Sequence, residues 1–144
     1  LGTTGGAYWA LILVTVWQSS GYMMIIYITG LVSIDNEVLE AAKVDGASAL
    51  RTLWNIKMPL MVQAFTISLF LTLRNGFMAY DVNLALTGGG PFRTTELVSM
   101  HVYNEAFSYG HFGTGQAKAV IMFFFVAFAA LIQVAVTKRL EANS

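Results

Sequence analysis

The sequence predicts an all-α fold, a polytopic transmembrane helical bundle with about three spans in its 144 residues. Three observations carry that reading. Hydrophobic residues make up 56% of the chain and charged ones 11%, whereas a soluble domain carries about 25% charged residues. The few charges leave three uncharged runs: the chain up to Ile34, Met58 to Leu73 with 16 residues, and Ala119 to Thr137 with 19. The basic residues between those runs also fall in a pattern that gives one self-consistent topology.

A bilayer core about 30 Å thick needs about 20 apolar residues at a rise of about 1.5 Å each. The first and third runs have that length, and the second reaches it by extending through Arg74 towards Tyr80. The expected spans lie near residues 7–32, 59–80 and 116–137. Lipid offers backbone N–H and C=O groups no partner, so each span is helical. The first run lacks the basic flank of a secretory signal and is too long for one. Eight basic residues balance eight acidic ones, which leaves no electrostatic basis for binding nucleic acid. There is no cysteine, and the histidines His101 and His111 have no companion ligands in sequence, so no metal site is expected.

Lys43, Arg51 and Lys57 lie between the first two spans, and Lys138 and Arg139 follow the third. Between the second and third, only Arg93 is basic. Basic short loops stay in the cytoplasm. Residues 33–58 and the C-terminus are therefore expected inside, and residues 81–115 outside. Two spans separate the two inner segments, as the topology requires.

The inner segment reads SIDNEVLEAAKVDGASALRTLWNIKMPLM. Asp35, Asn36 and Glu37 supply a cap and negative charge for a helix start. Gly46, after Asp45, closes that helix, since glycine takes the left-handed conformation readily. Ser48 caps a second helix, on which Ala49, Leu53, Ile56 and Leu60 form one apolar stripe. Pro59 forces a bend where the chain enters the membrane. Two short helices at a glycine elbow make a compact docking surface, with the Ala41-Ala42 pair offering a face that another protein can approach closely. An interfacial helix resting on headgroups explains neither the elbow nor the alanine pair.

Glu40-Ala41-Ala42-x-x-Asp45-Gly46-Ala47, followed by Ile56-x-Met58-Pro59, resembles the EAA loop of binding-protein-dependent ABC transporter permeases, of the MetI-like type. Leu53 stands where the family pattern has Phe, Met58 where it has Leu, and Asp35 where many relatives have Pro. A second stretch is similar to the maltose-permease-like sugar branch: Phe77-x-x-Tyr80-Asp81, then Leu86-Thr87-Gly88-Gly89-Gly90-Pro91, then Tyr103-x-x-Ala106-Phe107. The resemblance runs from about Ala7 to Arg139 and implies the C-terminal portion of a longer subunit.

The resemblance further implies that Glu40, Ala41, Ala42, Asp45, Gly46 and Ala47 contact a cytoplasmic ATP-binding subunit. A second permease subunit, an extracellular or periplasmic solute-binding protein and the lipid bilayer of the cell membrane complete the expected partners. The chain itself is expected to be no enzyme and to bind no cofactor, with ATP held by the partner subunit. Its Gly88-Gly89-Gly90-Pro91 stretch lacks the G-K-[ST] ending of a phosphate loop and is expected to be an external turn.

Candidates for the solute pathway are Gln18, Tyr22, Arg74 and Asn75. Gln18, with Ser19 and Ser20, interrupts the first span as a polar patch, which serves either a cavity or helix packing. Tyr22, like Trp17 and Trp9, has a ring that can stack on a sugar or sit at the membrane interface. Arg74 either lines a cavity or snorkels outward from the end of its span, with Asp81 too far along for a direct pair. The rival readings are a membrane-embedded enzyme, for which no catalytic set is present, and a structural or assembly membrane protein whose inner loop docks some other partner.

Overall fold

The computed structural model describes residues 2–142, and among them every regular element is a helix. The first, α1, runs Thr4–Val32. Two short helices follow, α2 at Asn36–Val44 and α3 at Ala49–Thr52. A π-helical turn, Leu53–Lys57, continues into the single turn α4, Met58–Leu60. Then come α5 at Val62–Phe77, α6 at Asp81–Leu86, and α7 at Val98–Tyr103 with a second π-helical turn, Asn104–Ser108. The last helix, α8, spans Phe112–Ala142.

Two helices are long and apolar enough to cross a bilayer, Thr4–Val32 and Phe112–Arg139. They contain the expected first and third spans and extend them by about one turn. The second span differs from its expected form. In its place the chain has a bent pair, Ala49–Leu60 and Val62–Phe77, with a 63° angle at the break, Met61. The straight part has 16 residues, about 24 Å at the helical rise, and it ends before Tyr80. Pro59, with no N–H to donate to the Asn55 carbonyl four residues back, follows the π-helical turn Leu53–Lys57, and the bend falls two residues further on. Met61 leaves helical geometry, with ψ at 3°. Residues 81–115, expected as a loop, contain α6, α7 and a π-helical turn.

The chain forms two compact units. In one, built from Gly21–Leu71 and the chain from Leu131 on, the buried residues include Ile34, Ala42, Met61, Ala64, Ser68 and Thr137. Gly30 of α1 passes close to α5: a Cβ added there would lie 2.8 Å from the Cβ of Ala64. Near this crossing Tyr27 Oη lies 2.7 Å from Ser68 Oγ, which is 3.0 Å from the Phe65 carbonyl. Tyr27 thus donates to Ser68, and Ser68 to the backbone. The Tyr27 and Phe65 rings sit 5.3 Å apart, and Gln133 donates to the Thr66 carbonyl at 3.2 Å. Small residues with a few hydrogen bonds are how helices pack where lipid removes the hydrophobic drive.

In the other unit, Thr72–Ala130 and the chain up to Ser20, Ala7, Leu11, Asn83, Thr95 and Met100 are buried. Gly115 of α8 meets the second π-helical turn so closely that a Cβ would lie 2.6 Å from that of Ala106. Around both units the long helices turn large apolar side chains outward: Trp9, Leu13 and Trp17 on α1, and Phe123, Phe124, Phe128 and Leu131 on α8. A helix apolar on all sides belongs in a membrane or a large core.

Candidate functional site

The elbow is built by the backbone of the motif itself. Asp35 caps α2, its carboxylate accepting the Glu37 N–H at 3.0 Å. At the other end Gly46 has φ +71°. Its N–H donates to the Lys43 carbonyl and that of Ala47 to the Ala42 carbonyl, both at 3.0 Å. This pair of bonds is a Schellman closure, which requires a left-handed residue where Gly46 stands. Two residues on, Ser48 Oγ accepts the Arg51 N–H at 3.4 Å and starts α3. Helix end, glycine and new cap follow one another without a free residue between, so the angle between α2 and α3 is held by hydrogen bonds.

Along α2, Glu40 and Ala41 are exposed, as are Asp45 and Gly46; Ala47 is half-buried. Ala42 is 6% exposed. Of the alanine pair, Ala41 is therefore the one exposed at the surface of the described residues. Glu40, Lys43, Ala47 and Lys57 line a cleft between α2 and the following helix, with Leu39 and Thr52 in its walls. Along the expected stripe of Ala49, Leu53, Ile56 and Leu60, Leu53 and Leu60 are exposed at 38% and 54%, and Ile56 is half-buried. The π-helical turn widens the spiral across Leu53–Lys57 and breaks the 3.6-residue period on which the stripe depends.

Of the four pathway candidates, the structure joins two. Arg74 and Asn75 are joined, Arg74 Nη1 donating to Asn75 Oδ1 at 3.3 Å. Asp81 opens α6 beyond the end of α5. Gln18 lines a mostly apolar hollow with Val14, Trp17, Val82, Ala85 and Leu86. Tyr22, 57% exposed, lines another cleft with Ile26, Thr29, Gln63 and Ile67.

Two arrangements between α6 and α8 go beyond the turn expected at the glycine-rich stretch. The glycine-rich stretch is a turn, with Gly88, Gly89, Phe92 and Arg93 all at positive φ. Buried side chains pin it: Thr87 Oγ1 reaches Asn83 Oδ1 at 2.8 Å, and Thr95 Oγ1 lies 2.9 Å from both Thr87 Oγ1 and the Gly90 carbonyl. Asn83 Nδ2 approaches Met100 Sδ at 3.6 Å.

Beside this turn runs a chain of charges. Lys118 Nζ donates to Glu105 Oε2 at 2.6 Å and meets His101 Nε2 at 2.9 Å. An ammonium only donates, so Nε2 accepts and the His101 proton sits on Nδ1, facing Glu96 Oε1 at 3.5 Å. His111 Nδ1 lies 2.9 Å from Glu105 Oε1. The Lys118 bond, then the His111 bond, lowers the Glu105 carboxyl to about 2. The four-residue spacing of His101 and Glu105 was a weak signal for part of this cluster. Nothing in the sequence placed Lys118 against them.

Helices apolar on their outer faces, two of them long enough to cross a bilayer, define an all-α, multi-pass membrane protein. The family model for the binding-protein-dependent transport system inner membrane component matches residues 1–142. The chain belongs to that family. Among its relatives is a "Probable starch degradation products transport system permease protein AmyD" of Thermoanaerobacterium thermosulfurigenes, 45% identical over 99% of this chain and 49% of that protein. The "Multiple sugar-binding transport system permease protein MsmF" of Streptococcus mutans is 36% identical over 98% of this chain and 49% of its own. The "Trehalose/maltose transport system permease protein MalF" of Thermococcus litoralis is 31% identical over 88% and 42%. The chain spans about half the length, or less, of these relatives.

Proposed function

We propose that this chain is part of a permease subunit of an ABC importer in the cell membrane, carrying a sugar or related solute. The observation that carries the reading is the elbow at Asp45-Gly46, a hydrogen-bonded joint that presents Glu40 and Ala41 on an exposed helix. The sugar class rests on the names of the relatives.

Residues 33–58 and the C-terminus face the cytoplasm, and residues 81–115 face outward. Glu40, Ala41, Asp45 and Gly46 meet the ATP-binding subunit, with Ala42 and Ala47 shaping the elbow behind them. ATP is bound and hydrolysed by that partner. A second permease subunit completes the pathway, and a solute-binding protein delivers the solute.

The mechanism is mechanical. A helix capped at Asp35 and locked at Gly46 transmits a displacement instead of absorbing it, because bending it breaks two backbone hydrogen bonds. Motion of the ATP-binding subunits therefore passes through α3 and the Met61 bend to α5. ATP shifts the inward-open and outward-open populations only by its different affinity for the two states. Gln18, Tyr22, Arg74 and Asn75 supply amide, phenol and guanidinium groups suited to sugar hydroxyls.

The test is ATP turnover by the complete transporter in proteoliposomes, with candidate sugars and the cognate binding protein. Stimulation by one sugar class is expected. Site-directed labelling at Asp45 from the outside of intact cells, or full turnover after cross-linking shows no contact of residues 40–47 with any subunit, would overturn the coupling role.

A further inference from the structure

We infer that the segment after the elbow, Ala49–Leu60, is a membrane-surface helix whose Leu50, Leu53 and Trp54 side chains sit in the lipid headgroup layer. The function proposed above assigns those lipids to the cytoplasmic leaflet; contact with lipid does not depend on it.

Three features of one short stretch lead here. Leu50 is 70% exposed, Trp54 63% and Leu53 38%, and they stand at i, i+3 and i+4, one side of a helix. Leu50 and Trp54 are not among the residues turned to α2, where Ala49, Thr52 and Lys57 line the cleft. The segment is also tethered to a bilayer crossing: only Met61 separates it from α5, at a 63° bend. With α5 along the membrane normal, its axis lies within roughly 30° of the membrane plane. The straight helix Val62–Phe77 accounts for about 24 Å of that crossing, and Ala49–Leu60 stands at its end.

The chemistry of the row fits that layer. Tryptophan favours the interface because its ring is apolar and its N–H is polar. Arg51 lies within the same stretch, and a cation there gains attraction from anionic phosphates. The alternative occupant of the row is a protein subunit. The tether to a bilayer crossing at Met61 favours lipid over that occupant. The inference gives the bend at Met61 a purpose: the surface helix is the fulcrum about which the elbow swings, supported by lipid on one face.

The experiment uses the full-length permease subunits in nanodiscs containing anionic lipid, first without and then with the ATP-binding subunits. These 144 residues include no cysteine, so nitroxides are attached singly at Leu50→Cys, Trp54→Cys and Asn55→Cys. Oxygen reports lipid and a soluble nickel chelate reports water. Labels at 50 and 54 are expected to be several-fold more accessible to oxygen than to nickel in both preparations, and the label at 55 the reverse. Nickel accessibility at 50 and 54 that disappears only when the ATP-binding subunits are added would assign the row to that protein and overturn the inference. Protection from both reagents before that addition would assign the row to another permease segment and overturn the inference equally. Labelling of Asp45 from outside the cell would sink the proposed coupling while leaving an oxygen-accessible Trp54 intact, so the two failures are distinguishable.

Discussion

Replacing Gly46 with alanine tests the elbow through its backbone alone. Gly46 holds φ at +71°, and a Cβ placed there meets no atom within 4 Å. The substitution therefore creates no clash within the chain, and its cost is conformational. An L-residue in the left-handed region costs about 1–2 kcal/mol. A change of that size shifts the balance between closed and opened elbow by about 5- to 30-fold. Asparagine tolerates the same conformation better, so Gly46→Asn adds a larger side chain at a smaller conformational cost. The assay is solute uptake per ATP hydrolysed by the complete transporter in proteoliposomes, with subunit assembly checked separately. Gly46→Ala is expected to lower that ratio several-fold, and Gly46→Asn to stay closer to the parent. Equal loss in both variants would refute the reasoning, because bulk at a docked surface and not the φ angle would then be responsible. An unchanged ratio in Gly46→Ala would refute it as well.

At the α1–α5 crossing, Gly30→Ala brings a Cβ to 2.8 Å from that of Ala64, an overpacking worth about 1–3 kcal/mol. Thermal unfolding in detergent should fall in that variant and recover in Gly30→Ala with Ala64→Gly; no recovery would show that the crossing is not the site of strain. Glu105 predicts an acid-range response. Its carboxyl is lowered from 4.5 to about 2, so between those values the unfolded chain binds the extra proton and stability rises with pH. The contribution is complete above 4.5 and lost as pH falls towards 2. Glu105→Gln should flatten the stability–pH curve in that window, and an unaltered slope would count against the Lys118 and His111 contacts.

Much of this fold is written locally, and those parts were legible in the sequence. Asp35, Gly46 and Ser48 act within three residues of themselves: each cap or closure is a hydrogen bond to a near neighbour, so residue type and position suffice. The long apolar runs of α1 and α8 are equally legible, since a helix in lipid must satisfy its own backbone whatever surrounds it. Pro59 announced a bend, although not that the break would fall at Met61 or that α5 would end at Phe77.

The apolar stripe expected on the second elbow helix assumes one helical pitch, and a π-helical turn at Leu53–Lys57 changes it. Which alanine of the pair faces outward also depended on packing, and Ala42 proved to be buried. The contacts of Lys118 with His101 and Glu105 join residues 17 and 13 positions apart, and the pinning of Thr95 against Thr87 and Gly90 depends on the course of the turn. Sequence alone determined where this chain makes helices, where it stops them and which solvent they need. Tertiary structure decided which faces meet and which charges neutralise one another, because those free energies depend on distances that no local pattern encodes.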